Sequence, residues 1–180
     1  MTPLVVIGDS ITYLAAKHGA VSMFEDAGYT ATLDGARGQR ADNPLRAAAW
    51  VNAAYTTSAS GVGVYALGAN DLMGETFKDP DEPAFSVEET AALVSTLMER
   101  LHFGSFFFDR VVWVNITTGT LNGHFNKGAR TVNAEMALRC EAAGFGYARW
   151  DEKDAPTSDL IHQKIAGTPL WVDAIVEAAR

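Results

Sequence analysis

The chain has 180 residues, 48% of them hydrophobic and 20% charged, which suits one globular domain over 1–180 with a core that needs no covalent staples. A formal net charge of −8 excludes the clustered basic footprint of a nucleic-acid binder and disfavours an anionic membrane surface. Cys140 is the only cysteine, so no internal disulfide can form; no signal-peptide pattern and no bilayer-length apolar run is present. As written the chain reads as cytoplasmic, or as an extracytoplasmic domain if it is part of a larger protein.

The predicted elements alternate along the chain. Residues 4–7 are an apolar run that stops at Gly8 and reads as a buried strand, followed by a helix over 11–27. A second strand over 29–33 closes at Asp34-Gly35, and a helix follows over 43–55. Residues 62–67 form a third apolar run ending at Gly68. The polar, proline-bearing stretch 78–83 is a loop, and Ser86 with Glu89 supplies a capping box for a helix over 87–102. Residues 103–108, FGSFFF, precede the strongest strand, VVWVNI over 111–116. A helix over 126–143, a weaker strand over 145–150, an Asp-rich loop over 150–158 and a last helix over 165–179 complete the chain. Gly28 and Gly144 stand where helix C-terminal glycines belong. Alternation of this kind implies βαβ units: an α/β, three-layer αβα sandwich of about five parallel strands.

In open α/β sheets ligands sit at the carboxyl ends of the strands. That rule selects Gly8-Asp9-Ser10, Gly35-Ala36-Arg37-Gly38 and Gly68-Ala69-Asn70-Asp71. Ser10 would open the first helix, where free N–H groups and the positive dipole end suit a nascent oxyanion; the alternative is that it merely caps the helix. Asn70 offers an amide donor at a strand end, or is a turn residue. Gly38 lets backbone N–H approach a ligand. Near the end, Asp159-Leu160-Ile161-His162 spaces a carboxylate and an imidazole by one helical turn, as a serine nucleophile requires of its base and orienter; the alternative is a capped surface turn.

These blocks, in this order, resemble the SGNH (GDSL-type) hydrolase family. The GDS signature at Gly8-Asp9-Ser10, the glycine of the 35–38 block, a full GxND at 68–71 and a DxxH at 159–162 cover nearly the whole chain. The resemblance implies a flavodoxin-like fold and a serine esterase acting through an acyl-enzyme. It implies Ser10 as nucleophile, His162 as base and Asp159 as its orienter. An oxyanion hole would come from the N–H of Ser10, the N–H of Gly38 and the side chain of Asn70. It implies no metal and no organic cofactor, and a small-molecule or saccharide ester as substrate. Asp9 and Asp71 are expected to hold loops by local hydrogen bonds.

Residues 111–120 with Asn126 and Asn133, and the stretch Ala148-Arg149-Trp150-Asp151, further resemble members that handle O-acyl groups of polysaccharides, although Leu160 stands where such members carry glycine. The expected activity is therefore hydrolysis of short-acyl esters, including O-acetyl saccharides. The alternatives are an O-acyltransferase using the same triad, or a non-catalytic carbohydrate-binding domain on the same fold.

Rival signals are weak. The G-x-S-x-G elbow, the Walker A loop and G-x-G-x-x-G are absent. His18, His102 and His124 lack metal-ligand spacing and read as surface or helix-end residues, and Cys140 reads as a packed small hydrophobe. Phe106, Phe107 and Phe108 are either part of a buried turn or an apolar wall for an acyl chain or partner. Arg37 and Arg40, flanking Gly38, either contact an anionic or sugar substrate or face water.

Overall fold

Strands without polar alternation need cover on both faces, and the chain supplies helices for each. The structure is a computed structural model that describes residues 1–57, 60–73, 86–118, 123–150 and 165–180. In chain order the elements are β1 (Thr2–Gly8), α1 (Ser10–Lys17), α2 (Ala20–Asp26), β2 (Tyr29–Gly35), α3 (Pro44–Thr57), β3 (Val62–Ala66) and α4 (Ala69–Met73). They continue with α5 (Val87–Gly104), β4 (Arg110–Val114), α6 (Gly123–Ala143), β5 (Gly146–Ala148), a 3-10 turn (Ile165–Gly167) and α7 (Thr168–Ala178).

The five strands are all parallel, in the order β2-β1-β3-β4-β5. Helices α1, α2 and α7 cover one face, and α3, α5 and α6 the other. This is the expected three-layer α/β sandwich, with the flavodoxin-like strand order. The chain winds outward from β1 to β2 and then crosses to β3 on the other side of β1. That reversal puts the topological switch point between the carboxyl ends of β1 and β3.

The core follows from the register. Tyr65 is paired with Trp113 and Trp113 with Tyr147, so three aromatic side chains stand in one row across β3, β4 and β5. Trp113 and Tyr147 are in ring contact at 5.6 Å, while Tyr65 stacks on Trp50 of α3 at 5.8 Å. The Trp113 indole N–H is buried and donates to Leu67 O at 3.2 Å. On the other face Phe24 meets Trp171 edge to face at 6.2 Å.

Helix boundaries obey their caps. Ser86 Oγ accepts from Glu89 N at 3.0 Å and Glu89 Oε2 accepts from Ser86 N at 2.8 Å, the expected capping box. The helix expected over 11–27 is instead two helices: Gly19 takes a φ of 87° and breaks it into α1 and α2. Helix α4 lies where a plain strand-end turn was expected, and β5 is shorter than the 145–150 run. The final helix starts at Thr168, after the 3-10 turn.

Gly35, at the end of β2, lies directly against the backbone of α1. A Cβ there would lie 2.3 Å from Tyr13 N and 2.8 Å from Thr12 C, backbone atoms that no rotamer change can move. Gly35→Ala is expected to cost about 3 kcal/mol. Thermal unfolding should show this as a fall of roughly 6–12 °C; an unchanged midpoint would mean that α1 is not seated on β2 as described.

Candidate functional site

Ser10 is the first residue of α1, directly beyond β1, and is half-buried. It is not the helix cap. That role belongs to Asp9, which is 1% exposed and whose Oδ1 accepts from Ile11 N at 2.9 Å. Asp9 thus satisfies a first-turn donor, with Ser10 next to it at the dipole end of the helix.

Asn70 reaches the same place from the other side of the switch point. It lies in the first turn of α4, beyond β3, and its Nδ2 donates to Asp9 Oδ2 at 3.2 Å and to Gln39 O at 2.9 Å. One amide group therefore ties together the ends of β1, β2 and β3, the three strand ends that carry the three N-terminal blocks. Gly38, one residue before Gln39, is exposed and has a φ of +68° with nothing within 4 Å of where a Cβ would stand. Its requirement for glycine is conformational rather than steric. Gly35, the other glycine of that block, packs beneath α1 and has a different task.

The loop bearing Gly38 and Gln39 is fixed at one fully buried residue, Ala41. Its N–H donates to both carboxylate oxygens of Asp71, at 3.2 and 2.9 Å. Its carbonyl accepts from the Arg100 Nε at 3.2 Å and the Tyr65 hydroxyl at 3.4 Å. Asp71 was expected to act locally; its partner is 30 residues away. Burial raises the Asp71 carboxyl above its ordinary range, against the opposing pull of the Ala41 N–H and of Arg40. Burial likewise raises the Tyr65 phenol. Arg40 Nε lies 3.6 Å from Asp71 Oδ1 and 3.5 Å from Asp42 Oδ1, so it serves this loop at least as much as any ligand.

Beyond β4 and β5 two asparagines lock the chain. Asn133 of α6 accepts from Ile116 N at 2.9 Å and donates to Ile116 O at 2.7 Å. Asn115 Oδ1 accepts from Trp150 N at 3.1 Å, and Asn115 O accepts from the Trp150 indole N–H at 3.1 Å. Trp150 is 1% exposed and lines, with Asp9, Ile11, Asn115 and Trp171, a small crevice under the switch point. Asp159 and His162 themselves lie outside the described residues, as do the 78–83 loop, residues 119 and 120 of the VVWVNITTGT run, and residues 151–158 of the Asp-rich loop.

The phenylalanines are not beside Ser10. They precede β4, at the amino edge of a parallel sheet whose carboxyl edge carries the three blocks, so an acyl wall next to the serine is not their role. Phe108 is buried on Trp50 at 5.2 Å, Phe107 meets Phe103 edge to face at 5.2 Å, and Phe106 is exposed. Cys140 is buried, and burial pushes its thiol up to about 12, as suits a packed hydrophobe. His18 caps the end of α1, and His102, in the last turn of α5, sits 4.9 Å from the Phe145 ring. Among the described residues no group of three or more His, Cys, Asp or Glu could hold a metal, and no helix is long and apolar enough to cross a membrane.

Gln39, Ala41, Tyr65 and Arg100 were not singled out by any motif. Two of them act through backbone atoms, and the side chains reach across tens of residues, so periodicity and spacing carry no trace of them.

Solved structures share this architecture. A lipolytic protein of the G-D-S-L family from Veillonella parvula superposes with a TM-score of 0.76 at 15% identity, over 98% of this chain and 97% of that one. An acetylxylan esterase from Geobacillus stearothermophilus gives 0.72 at 14% identity, over 99% and 94%. A GDSL-like lipase from Bacteroides thetaiotaomicron gives 0.74 at 13% identity, over 99% and 87%. No protein-family model matches the sequence, and no curated protein matches it.

Proposed function

We propose, from the premise that the chain has the fold of the GDSL-type lipolytic proteins and acetylxylan esterases, that it is a serine ester hydrolase of short acyl groups, including O-acetyl groups on saccharides. The observation that carries the reading is the Asn70 amide. It draws Ser10's neighbour Asp9 and Gly38's neighbour Gln39 to one point at the switch of the sheet.

In this reading the Ser10 hydroxyl attacks the ester carbonyl carbon while His162, oriented by Asp159, takes its proton. The negative charge gathering on the carbonyl oxygen meets the N–H groups of Ser10 and Gly38 and the Asn70 amide, all close to the positive end of α1. Asn70 Nδ2 shares its hydrogens with Asp9 and Gln39 at rest. The arriving oxyanion competes with the longer of those bonds, the one to Asp9. Collapse of the tetrahedral intermediate breaks the bond to the alcohol, which leaves with the proton from His162. Water, deprotonated by the same imidazole, then attacks the acyl-serine and releases the acid.

The acetyl and saccharide preference is supported by the acetylxylan esterase among the similar structures. The direct test is labelling. A fluorophosphonate probe is expected to modify the protein once, at Ser10, and to leave Ser10→Ala unlabelled. Peptide mapping that finds the adduct on another residue removes Ser10 from the role.

A further inference from the structure

Ser10, Tyr13 and Lys17 stand on α1 at positions i, i+3 and i+7, which places them on one stripe of the helix surface. Seven residues at 1.5 Å each carry that stripe roughly 10 Å away from the candidate nucleophile. Two cations gather on its aromatic member. Lys17 Nζ lies 4.5 Å from the centroid of the Tyr13 ring, and the Arg37 guanidinium carbon lies 5.5 Å from it. Arg37 arrives from the loop beyond β2, directly before Gly38, so the cluster joins two of the elements that frame Ser10. Lys17, beside the ring, lowers the Tyr13 phenol below the ordinary range, and Arg37 adds to the effect through its charge.

The nearby arginines Arg40 and Arg46 are already matched. Arg40 is matched by Asp42 and Asp71, and Arg46 by Asp34 at 3.1 Å. Among the described residues Lys17 and Arg37 have no acidic partner, and both are exposed. The chain as a whole carries −8, a charge that disfavours anionic ligands in general. Two unmatched cations, steadied on one ring beside the switch point, make a local exception to that field.

We propose that Lys17 and Arg37, held over the Tyr13 ring, form a subsite for a carboxylate on the alcohol part of the substrate, which makes the substrate class an ester of an acidic saccharide. The inference deepens the serine-hydrolase reading and rests on it for the reacting ester at Ser10. The acyl group lies at the serine, and the acid-bearing sugar extends down the α1 stripe. An open, hydrated pair of cations suits a solvated carboxylate on a sugar better than an apolar chain. Each exposed ion pair is weak alone, and two acting together give a selectivity of about tenfold.

Binding, measured apart from turnover, tests it. The Ser10→Ala protein is titrated calorimetrically at low salt with an unacetylated galacturonate oligosaccharide and with a neutral xylo-oligosaccharide of equal length. The acidic ligand is expected to bind about tenfold more tightly, with the advantage shrinking as salt is added. K17Q combined with R37Q should reduce the advantage below about twofold, and K17R combined with R37K should keep it. Equal binding of the two ligands, or an advantage that survives K17Q with R37Q, overturns the proposal. An acidic preference in a protein that turns over no ester would instead remove the hydrolase reading and leave the subsite standing.

Discussion

Ser10→Ala and His162→Ala are each expected to lower the turnover of a short-acyl aryl ester by about 10³-fold or more. In the proposed reaction the two residues act on one proton, so the double variant should be hardly worse than either single one. The base must be neutral to accept that proton, and wild-type activity should therefore rise with pH and then level off. Steady-state kinetics on the two single variants and the double variant settles the matter. Full activity in His162→Ala would eliminate the triad, and losses that multiply in the double variant would mean that the two groups work independently.

Asn70→Ala is the second large effect. One side-chain donor to the developing oxyanion contributes about 10²–10³ in kcat in serine hydrolases of known mechanism. That charge exists only in the transition state, so kcat should fall while KM changes little. The same variant removes the Asn70 hydrogen bonds to Asp9 Oδ2 and Gln39 O, which costs about 1–3 kcal/mol of stability. Kinetics run well below the lowered unfolding midpoint separates the two losses. Fluorophosphonate labelling should slow along with kcat, because its adduct also places negative oxygen there. A loss confined to KM would make Asn70 a substrate-binding or purely structural residue.

The sheet was legible because its signals are local. Apolar runs stopped by Gly8, Gly35 and Gly68 mark both the strands and the edge where chemistry gathers. Ser10, Gly38 and Asn70 could then be placed on one rim from their chain positions alone. The break at Gly19 was not legible: its neighbours keep the helical pattern, and a single glycine is tolerated inside many helices. Helix α4 has five residues, too few for a period to show. Assigning Asp9 and not Ser10 as the cap required the actual geometry, since both residue types cap well. The placing of the phenylalanines followed from topology rather than composition, because FGSFFF reads the same at either edge of a sheet. The ties to Ala41 span 24, 30 and 59 residues, and nothing in the spacing of Tyr65, Asp71 and Arg100 announces a common partner.

Those ties have a consequence for how the rim meets a ligand. Ordering a free loop costs about 1–2 kcal/mol of backbone entropy per residue. Here β3, α4 and α5 each grip one alanine, so the freedom of the stretch around Gly38 is surrendered once, when the chain folds. For the proposed reaction, a substrate then encounters donors whose directions are already set. Its interaction energy goes to aligning the ester and to the charge on the carbonyl oxygen, not to stilling the loop that receives it.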